Sequence, residues 1–186
     1  MRHMNDFAKL RLRFASALAA FVAMTDGAGA GARIILPSNV VPDHYDLAIS
    51  TNAAHMTFIG TVKIDIEVKA PSRKIELNAA DLAFRRVTLS GTAMPPTVTY
   101  DATQETATLT FPADVSAGAH RLMIEYSGKI NQQAAGLFAL DYETPKGKAR
   151  AIFTQFENSD ACRFIPSWDE PNKKATFTLS ATVPSG

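Results

Sequence analysis

The chain has 186 residues, of which 46% are hydrophobic and 20% charged, a length and composition typical of one globular domain with a short extension. Its 19 basic residues barely exceed its 18 acidic ones, and because no basic excess is available for phosphates we expect no nucleic-acid partner. The single cysteine, Cys162, excludes an internal disulfide, and with no histidine near it in the sequence we expect a small buried hydrophobe rather than a nucleophile.

The first 32 residues have the order of a secretory signal: a basic stretch, an apolar run and a small-residue stretch. "MRHMNDFAKLRLR" precedes the apolar run Phe14–Met24, and "TDGAGAGA" then offers two small-x-small cleavage sites. The apolar run is shorter than the about 20 residues that a membrane-spanning helix needs. We therefore predict that residues 1–32 are a cleaved signal peptide, that the protein is exported to the periplasm or secreted, and that no segment spans a membrane. The alternative is an amphipathic helix that stays in the mature protein.

From residue 36 onward the chain alternates apolar and polar residues with the period of two that is typical of half-buried strands. Glycines and prolines separate these runs, and no long amphipathic helix interrupts them. The pattern predicts an all-β fold for residues 33–186, an antiparallel β-sandwich or saddle. It predicts loops at "GTAMPPTVTY" and "DYETPKGKARA". The expected core-facing residues are Tyr45, Leu47, Ile49, Phe58, Val62, Ile64, Ile66, Val68, Ala107, Leu109, Phe111, Leu122, Ile124, Tyr126, Phe177, Leu179, Ala181 and Val183.

No complete active site is present in the sequence. None of the four histidines (His3, His44, His55 and His120) begins an H-E-x-x-H pair or is spaced as zinc ligands usually are. The chain also has no G-x-S-x-G elbow, phosphate loop or paired-glycine nucleotide motif. We therefore assign no catalytic residue, no metal ligand and no cofactor to this chain, and whether it is an enzyme stays open.

One segment departs from the plain alternation, "TQFENSDACRFIPSWDEP" at Thr154–Pro171. If "RAIFTQFE" is a strand, Gln155 and Glu157 share a face roughly 6.6 Å apart along it. An amide beside a carboxylate suits a ligand with several donors, such as an ammonium group. Taken alone, the residues favour the simpler interpretation that both side chains lie at a solvent-facing strand end.

The rest of the segment has the residues of a turn and a bend. Asn158 and Ser159 are candidate N-caps for a short helical turn, and Asp160 is spaced to pair with Arg163 at i, i+3. Asp169 and Glu170 could serve as catalytic carboxylates, but in "WDEP" we expect them to cap a bend.

The block Thr154–Phe177, "TQFENSDACRFIPSWDEPNKKATF", resembles the signature of zinc aminopeptidases of the aminopeptidase N type. The stretches Leu36–Ile49, Phe58–Leu82 and Gly136–Leu140 are similar to earlier segments of that family, in the same order. The resemblance implies the saddle-shaped β domain that precedes a thermolysin-like catalytic domain. It also implies that Glu157 helps to hold the α-ammonium group of a peptide substrate and that Gln155 lines the pocket for its first side chain.

The sequence departs from the family pattern at three positions of the block: Cys162 stands where arginine is usual, Ile165 where phenylalanine is usual, and Ser167 where cysteine is common. The zinc motif of relatives lies downstream of this region. The resemblance therefore implies a substrate-anchoring N-terminal domain without its catalytic domain, inactive alone, with zinc belonging to the full-length relative. The implied partners are peptide N-termini and a catalytic zinc-peptidase domain, in cis or in trans. The alternative is a free-standing, non-catalytic β-sandwich binding module.

Overall fold

The computed structural model describes residues 35–183, which belong to one compact unit, Gly31–Gly186. The predicted signal peptide, residues 1–32, lies outside the described residues. No helix in the described part has the length and apolar character needed to cross a membrane. The ten strands are β1 (Val40–Asn52), β2 (Thr57–Val68), β3 (Ser72–Asn78), β4 (Ala83–Leu89), β5 (Thr97–Asp101), β6 (Thr106–Val115), β7 (Gly118–Lys129), β8 (Gly136–Thr144), β9 (Gly147–Gln155) and β10 (Thr176–Thr182), with one 3-10 turn at Ala161–Arg163.

The strands form a five-stranded sheet in the order β10-β1-β2-β7-β4, a three-stranded sheet in the order β3-β6-β5, and the separate hairpin β8–β9. Every pairing between these strands is antiparallel except that of β1 with β10, which is parallel. The predicted all-β, antiparallel architecture is therefore confirmed, with one parallel pair at an edge. A parallel pair needs a long connection, and the whole of β2 to β9 lies between these two strands.

The hydrophobic core consists of alternate side chains from both sheets. β2 shows the pattern most clearly, because Val62, Ile64, Ile66 and Val68 are buried while the intervening residues are more exposed. The same core cluster includes residues of β3, β6 and β7: Ile75, Leu77, Ala107, Leu109, Phe111, Leu122, Ile124 and Tyr126. Burial of each large aliphatic or aromatic side chain contributes about 1.5–3 kcal/mol, so this alternating set supplies most of the driving force for folding.

The sequence predictions were wrong at β10 and at two loops. All seven residues of β10 are exposed, with Phe177 at 62% and Leu179 at 59%, although their partners in register, Tyr45 and Leu47, are buried. β10 is an edge strand, and no other described element covers its apolar face. The stretches predicted as loops contain most of β5 and the outer halves of β8 and β9. Strand residues within these stretches are largely exposed, so they lack the alternation that marks a half-buried strand.

Candidate functional site

The hairpin β8–β9 determines the position of Gln155. Gln155 is the last residue of β9 and pairs with Gly136, the first residue of β8. Two residues back, Phe153 pairs with Phe138, and their rings lie 5.8 Å apart between centroids. Because directly paired residues share a face, Gln155 extends an apolar strip of the hairpin at its open end.

Glu157 lies beyond the strand, in a turn. The backbone N–H of Asp160 donates to the carbonyl oxygen of Phe156 at 2.9 Å, and this bond closes the turn that contains Glu157. The prediction that one strand carries both side chains on one face was therefore wrong for Glu157. The two residues are nevertheless close in the chain, both side chains are exposed, and neither is hydrogen-bonded or ion-paired within the described part of the protein.

The aromatic residue between them holds the turn against the core. The ring of Phe156 stacks on that of Phe164 with centroids 5.4 Å apart and an interplanar angle of 27°. Phe164 is buried and contacts Phe58 of β2, with centroids 5.9 Å apart. The ring contacts from Phe156 through Phe164 to Phe58 therefore join the exposed turn to the core of the domain.

A short bridge to β3 binds the segment that follows the turn. Asn78 and Ser167 exchange backbone hydrogen bonds of 2.8 and 3.0 Å, and the Asn78 side-chain oxygen accepts the backbone N–H of Asp169 at 3.1 Å. Asn78 and Ser167 are both buried, so these bonds satisfy polar groups that have no access to water. This short bridge attaches the segment to the end of β3.

Two buried tyrosines hold the same segment from the main sheet. The hydroxyl of Tyr126 on β7 donates to the carbonyl oxygen of Phe164 at 2.9 Å. The backbone N–H of Trp168 donates to the hydroxyl of Tyr45 on β1 at 3.2 Å. Burial raises the pKa of both tyrosines, and at Tyr45 the bond from Trp168 offsets part of that effect. Both hydroxyls therefore stay neutral, which the bond to Phe164 requires.

We expect Tyr126→Phe to lower the free energy of unfolding at pH 7 by about 1 kcal/mol, the usual net value of one hydrogen bond. Because the folded pKa of Tyr126 is raised, its neutral form contributes full stability below the ordinary tyrosine pKa of about 10, and that contribution declines as the pH rises above it. Between pH 9 and 11 the free energy of unfolding of Tyr126→Phe should therefore fall less than that of the wild type. Urea unfolding at pH 7, 9 and 11 measures this, with Tyr142→Phe, an exposed tyrosine, as the control. Equal alkaline losses in all three proteins would contradict the prediction.

The 3-10 turn begins without the predicted caps. Asp160 precedes it and makes no side-chain capping bond, so the assignment of Asn158 and Ser159 as N-caps was wrong. The predicted i, i+3 pair is confirmed, with Arg163 Nε 2.9 Å from Asp160 Oδ1. Arg163 also forms ion pairs with Asp81 and Glu105. Burial lowers the pKa of Arg163, but the bond to Asp160 and the charges of Glu105 and Asp81 outweigh it, so the net pKa is raised and the group stays charged.

The bend "WDEP" and the buried thiol have structural contacts. Glu170 Oε1 accepts the backbone N–H of Leu36 at 2.6 Å, so this carboxylate joins the bend to the start of the described chain. Glu170 therefore has a structural contact, but its partner is Leu36 and not a group of its own bend, so the predicted bend-capping role stays a prediction. Cys162 is fully buried, as predicted, and its Sγ lies 3.4 Å from the carbonyl oxygen of Ser159.

Among residues 35–183, no three His, Cys, Asp or Glu side chains are grouped so that they could hold a metal ion. The described part of the chain therefore does not supply a ligand set for the zinc that the resemblance implies in full-length relatives.

Residues 41–186 match the family model of the Peptidase M1 N-terminal domain. The chain belongs to this family. Among curated proteins, this M1 N-terminal domain is 43% identical over 150 residues to Aminopeptidase N of Acetobacter pasteurianus, 36% over 158 residues to Aminopeptidase M1 of Arabidopsis thaliana, and 34% over 149 residues to Aminopeptidase 2 of Candida albicans.

The alignments cover 80%, 81% and 80% of this chain but only 42%, 18% and 16% of these relatives. The chain therefore spans less than half the length of each. The family that the signature block suggested is confirmed. The contacts that hold the block in place were not predictable from the sequence, because Asp81, Glu105 and Asn78 lie far from it along the chain and no local signal marks them as its partners.

Proposed function

We propose that this M1 N-terminal domain is the substrate-anchoring part of an exported zinc aminopeptidase that removes N-terminal residues from peptides. The names of the relatives support the reaction class, since each is called an aminopeptidase. The single observation that carries the proposal is the exposed pair Gln155 and Glu157, the first at the end of β9 and the second in the turn that follows it.

The chemistry of the pair suits the amino end of a peptide. An exopeptidase must locate a free α-ammonium group, and the carboxylate of Glu157 can accept charge-assisted hydrogen bonds from it, each worth about 1.5–3 kcal/mol. Gln155 would line the space for the first side chain of the substrate. With the ammonium group held at a set distance from the reacting centre, only the first peptide bond would be presented for cleavage.

In this proposal hydrolysis belongs to a zinc-containing catalytic domain, in cis or in trans, and the present chain alone binds peptide N-termini weakly without cleaving them. The support is the coverage of the relatives, which are much longer than the matched region. Export is proposed on the basic, apolar and small-residue order of positions 1–32. N-terminal sequencing of the mature protein tests it, with a first residue near position 33 expected.

The proposal is tested by expressing the full-length open reading frame that contains this chain and measuring hydrolysis of amino-acyl p-nitroanilides. We expect hydrolysis that a zinc chelator abolishes and added zinc restores, and no hydrolysis by residues 33–186 alone. N-acetylated analogues of the same substrates should not be cleaved. Cleavage of acetylated and free substrates at equal rates would contradict an aminopeptidase, and activity unaffected by chelation would contradict a zinc enzyme.

A further inference from the structure

Arg163 joins three turns that are distant from one another in the sequence. Its Nε bonds Asp160 in its own segment, and its two terminal nitrogens pair with Asp81 between β3 and β4 and with Glu105 between β5 and β6. The Arg163 side chain is only 26% exposed. An arginine that uses all sides of its guanidinium group in this way determines the relative positions of its partners.

Two of these partners adopt an unusual backbone conformation. Asp81 has φ 56° and Glu105 has φ 54°, both in the left-handed region that residues with a side chain seldom adopt. Both direct their carboxylates to the same guanidinium group. Such backbone conformations persist where the surrounding structure enforces them, and here Arg163 is the shared contact.

The contacts of Arg163 extend to Glu157 through Asp160. Asp160 closes the turn that contains Glu157 by donating its N–H to the carbonyl oxygen of Phe156 at 2.9 Å. Arg163 binds the same Asp160 twice, through its backbone N–H to the carbonyl oxygen at 3.1 Å and through Nε to the carboxylate at 2.9 Å. A shift of Arg163 would therefore move the closing residue of the Glu157 turn.

A second route leads from Arg163 to Gln155. Gly136, the strand partner of Gln155, has φ +63° and packs so closely that an added Cβ would lie 2.8 Å from the Arg163 Cβ. A Cβ added to Gly136 would also lie 3.5 Å from the carbonyl oxygen of Asp160. The end of the hairpin at Gly136 therefore packs directly against the Arg163 segment.

We propose that Arg163 is a positioning residue for the pair Gln155 and Glu157, holding the hairpin end and the adjoining turn in the arrangement that receives the substrate ammonium group. The inference rests on the proposed function of that pair. Three carboxylates surround the one guanidinium group, so its removal would leave Asp81, Glu105 and Asp160 to repel one another and displace the turn.

The test is a mutant cycle in the full-length protein, measuring KM and kcat on an amino-acyl p-nitroanilide. Arg163→Gln should raise KM about tenfold, within the range found for coupled residues, while Arg121→Gln should change it less than twofold. Arg121 is the matched control because it forms a bidentate pair with Asp65, with bonds of 2.6 and 2.9 Å, on the exposed face of β2 and β7. In a background of Gln155→Ala with Glu157→Ala, Arg163→Gln should raise KM less than twofold further, because its effect acts through those side chains.

An undiminished effect of Arg163→Gln in that background would overturn the inference and leave a purely structural role. If Arg163→Gln does not fold, Arg163→Lys and Asp81→Asn replace it, since each removes part of the ion-pair network while keeping the rest, and the same dependence on the pair is expected. The same kinetics distinguish failure of the function proposed for Gln155 and Glu157 from failure of the role proposed for Arg163. If Glu157→Ala leaves KM unchanged, the assigned function of the pair fails and this inference fails with it; if Glu157→Ala raises KM but Arg163→Gln does not, only this inference fails.

Discussion

Replacing Glu157 by alanine in the full-length protein is expected to lower kcat/KM for unblocked amino-acyl substrates roughly 10- to 150-fold. The loss corresponds to one charge-assisted hydrogen bond of about 1.5–3 kcal/mol, which we assign to the contact between the carboxylate and the substrate α-ammonium group. The fold itself should be unaffected, because Glu157 is exposed and makes no hydrogen bond or ion pair in residues 35–183. Steady-state kinetics together with thermal unfolding of the same preparations measure both.

Two further variants separate charge from shape. Glu157→Gln keeps the size and the acceptor oxygen but removes the charge, so we expect it to recover only part of the lost kcat/KM. Glu143→Ala is the matched control, since Glu143 is an exposed glutamate on β8 of the adjoining hairpin and should change kcat/KM less than twofold. Unchanged turnover in Glu157→Ala would show that the carboxylate does not hold the substrate, whatever the activity of the full-length protein.

The second large effect is expected on the isolated domain, residues 33–186, when the apolar face of β10 is made polar. Phe177 and Leu179 are 62% and 59% exposed on an edge strand whose seven residues include no charge. Such an edge offers both unpaired backbone groups and apolar side chains to another chain. We expect the wild-type domain to self-associate at micromolar concentrations and the double variant Phe177→Thr, Leu179→Thr to remain monomeric in light scattering.

The control for this experiment is the pair Ile59→Thr, Met94→Thr, which removes exposed apolar side chains that do not belong to β10 and should leave self-association unchanged. Thermal unfolding is measured alongside, because Phe177 stacks on Tyr45 with ring centroids 4.6 Å apart and its loss carries a stability cost of its own. A wild-type domain that is already a stable monomer would contradict the prediction. That result would favour a free-standing binding module, the alternative to a domain whose β10 face is covered in a longer protein.

The strands that the sequence predicted correctly are those with one buried face. In β2 and β7 a two-residue period separates core residues from solvent-facing ones, so the sequence pattern indicates which residues are buried. β5 and the outer part of the β8–β9 hairpin show no such alternation in sequence, since their residues are mostly exposed on both faces. β10 shows the opposite failure, because its alternation predicted a buried face that nothing in the described domain covers.

The sequence by itself determined the β-rich class and the family, because local alternation and one contiguous signature block contain that information; that block also supplied Gln155 and Glu157 as candidate site residues. The tertiary structure alone decided that Glu157 lies in a turn beyond β9 and that Arg163 bonds Asp160, the residue that closes this turn. The partners of Arg163, Asp81 and Glu105, are 82 and 58 positions away in the chain. Contacts of that kind depend on which strand ends the sheet topology brings together, and neither composition nor periodicity near Arg163 contains that information.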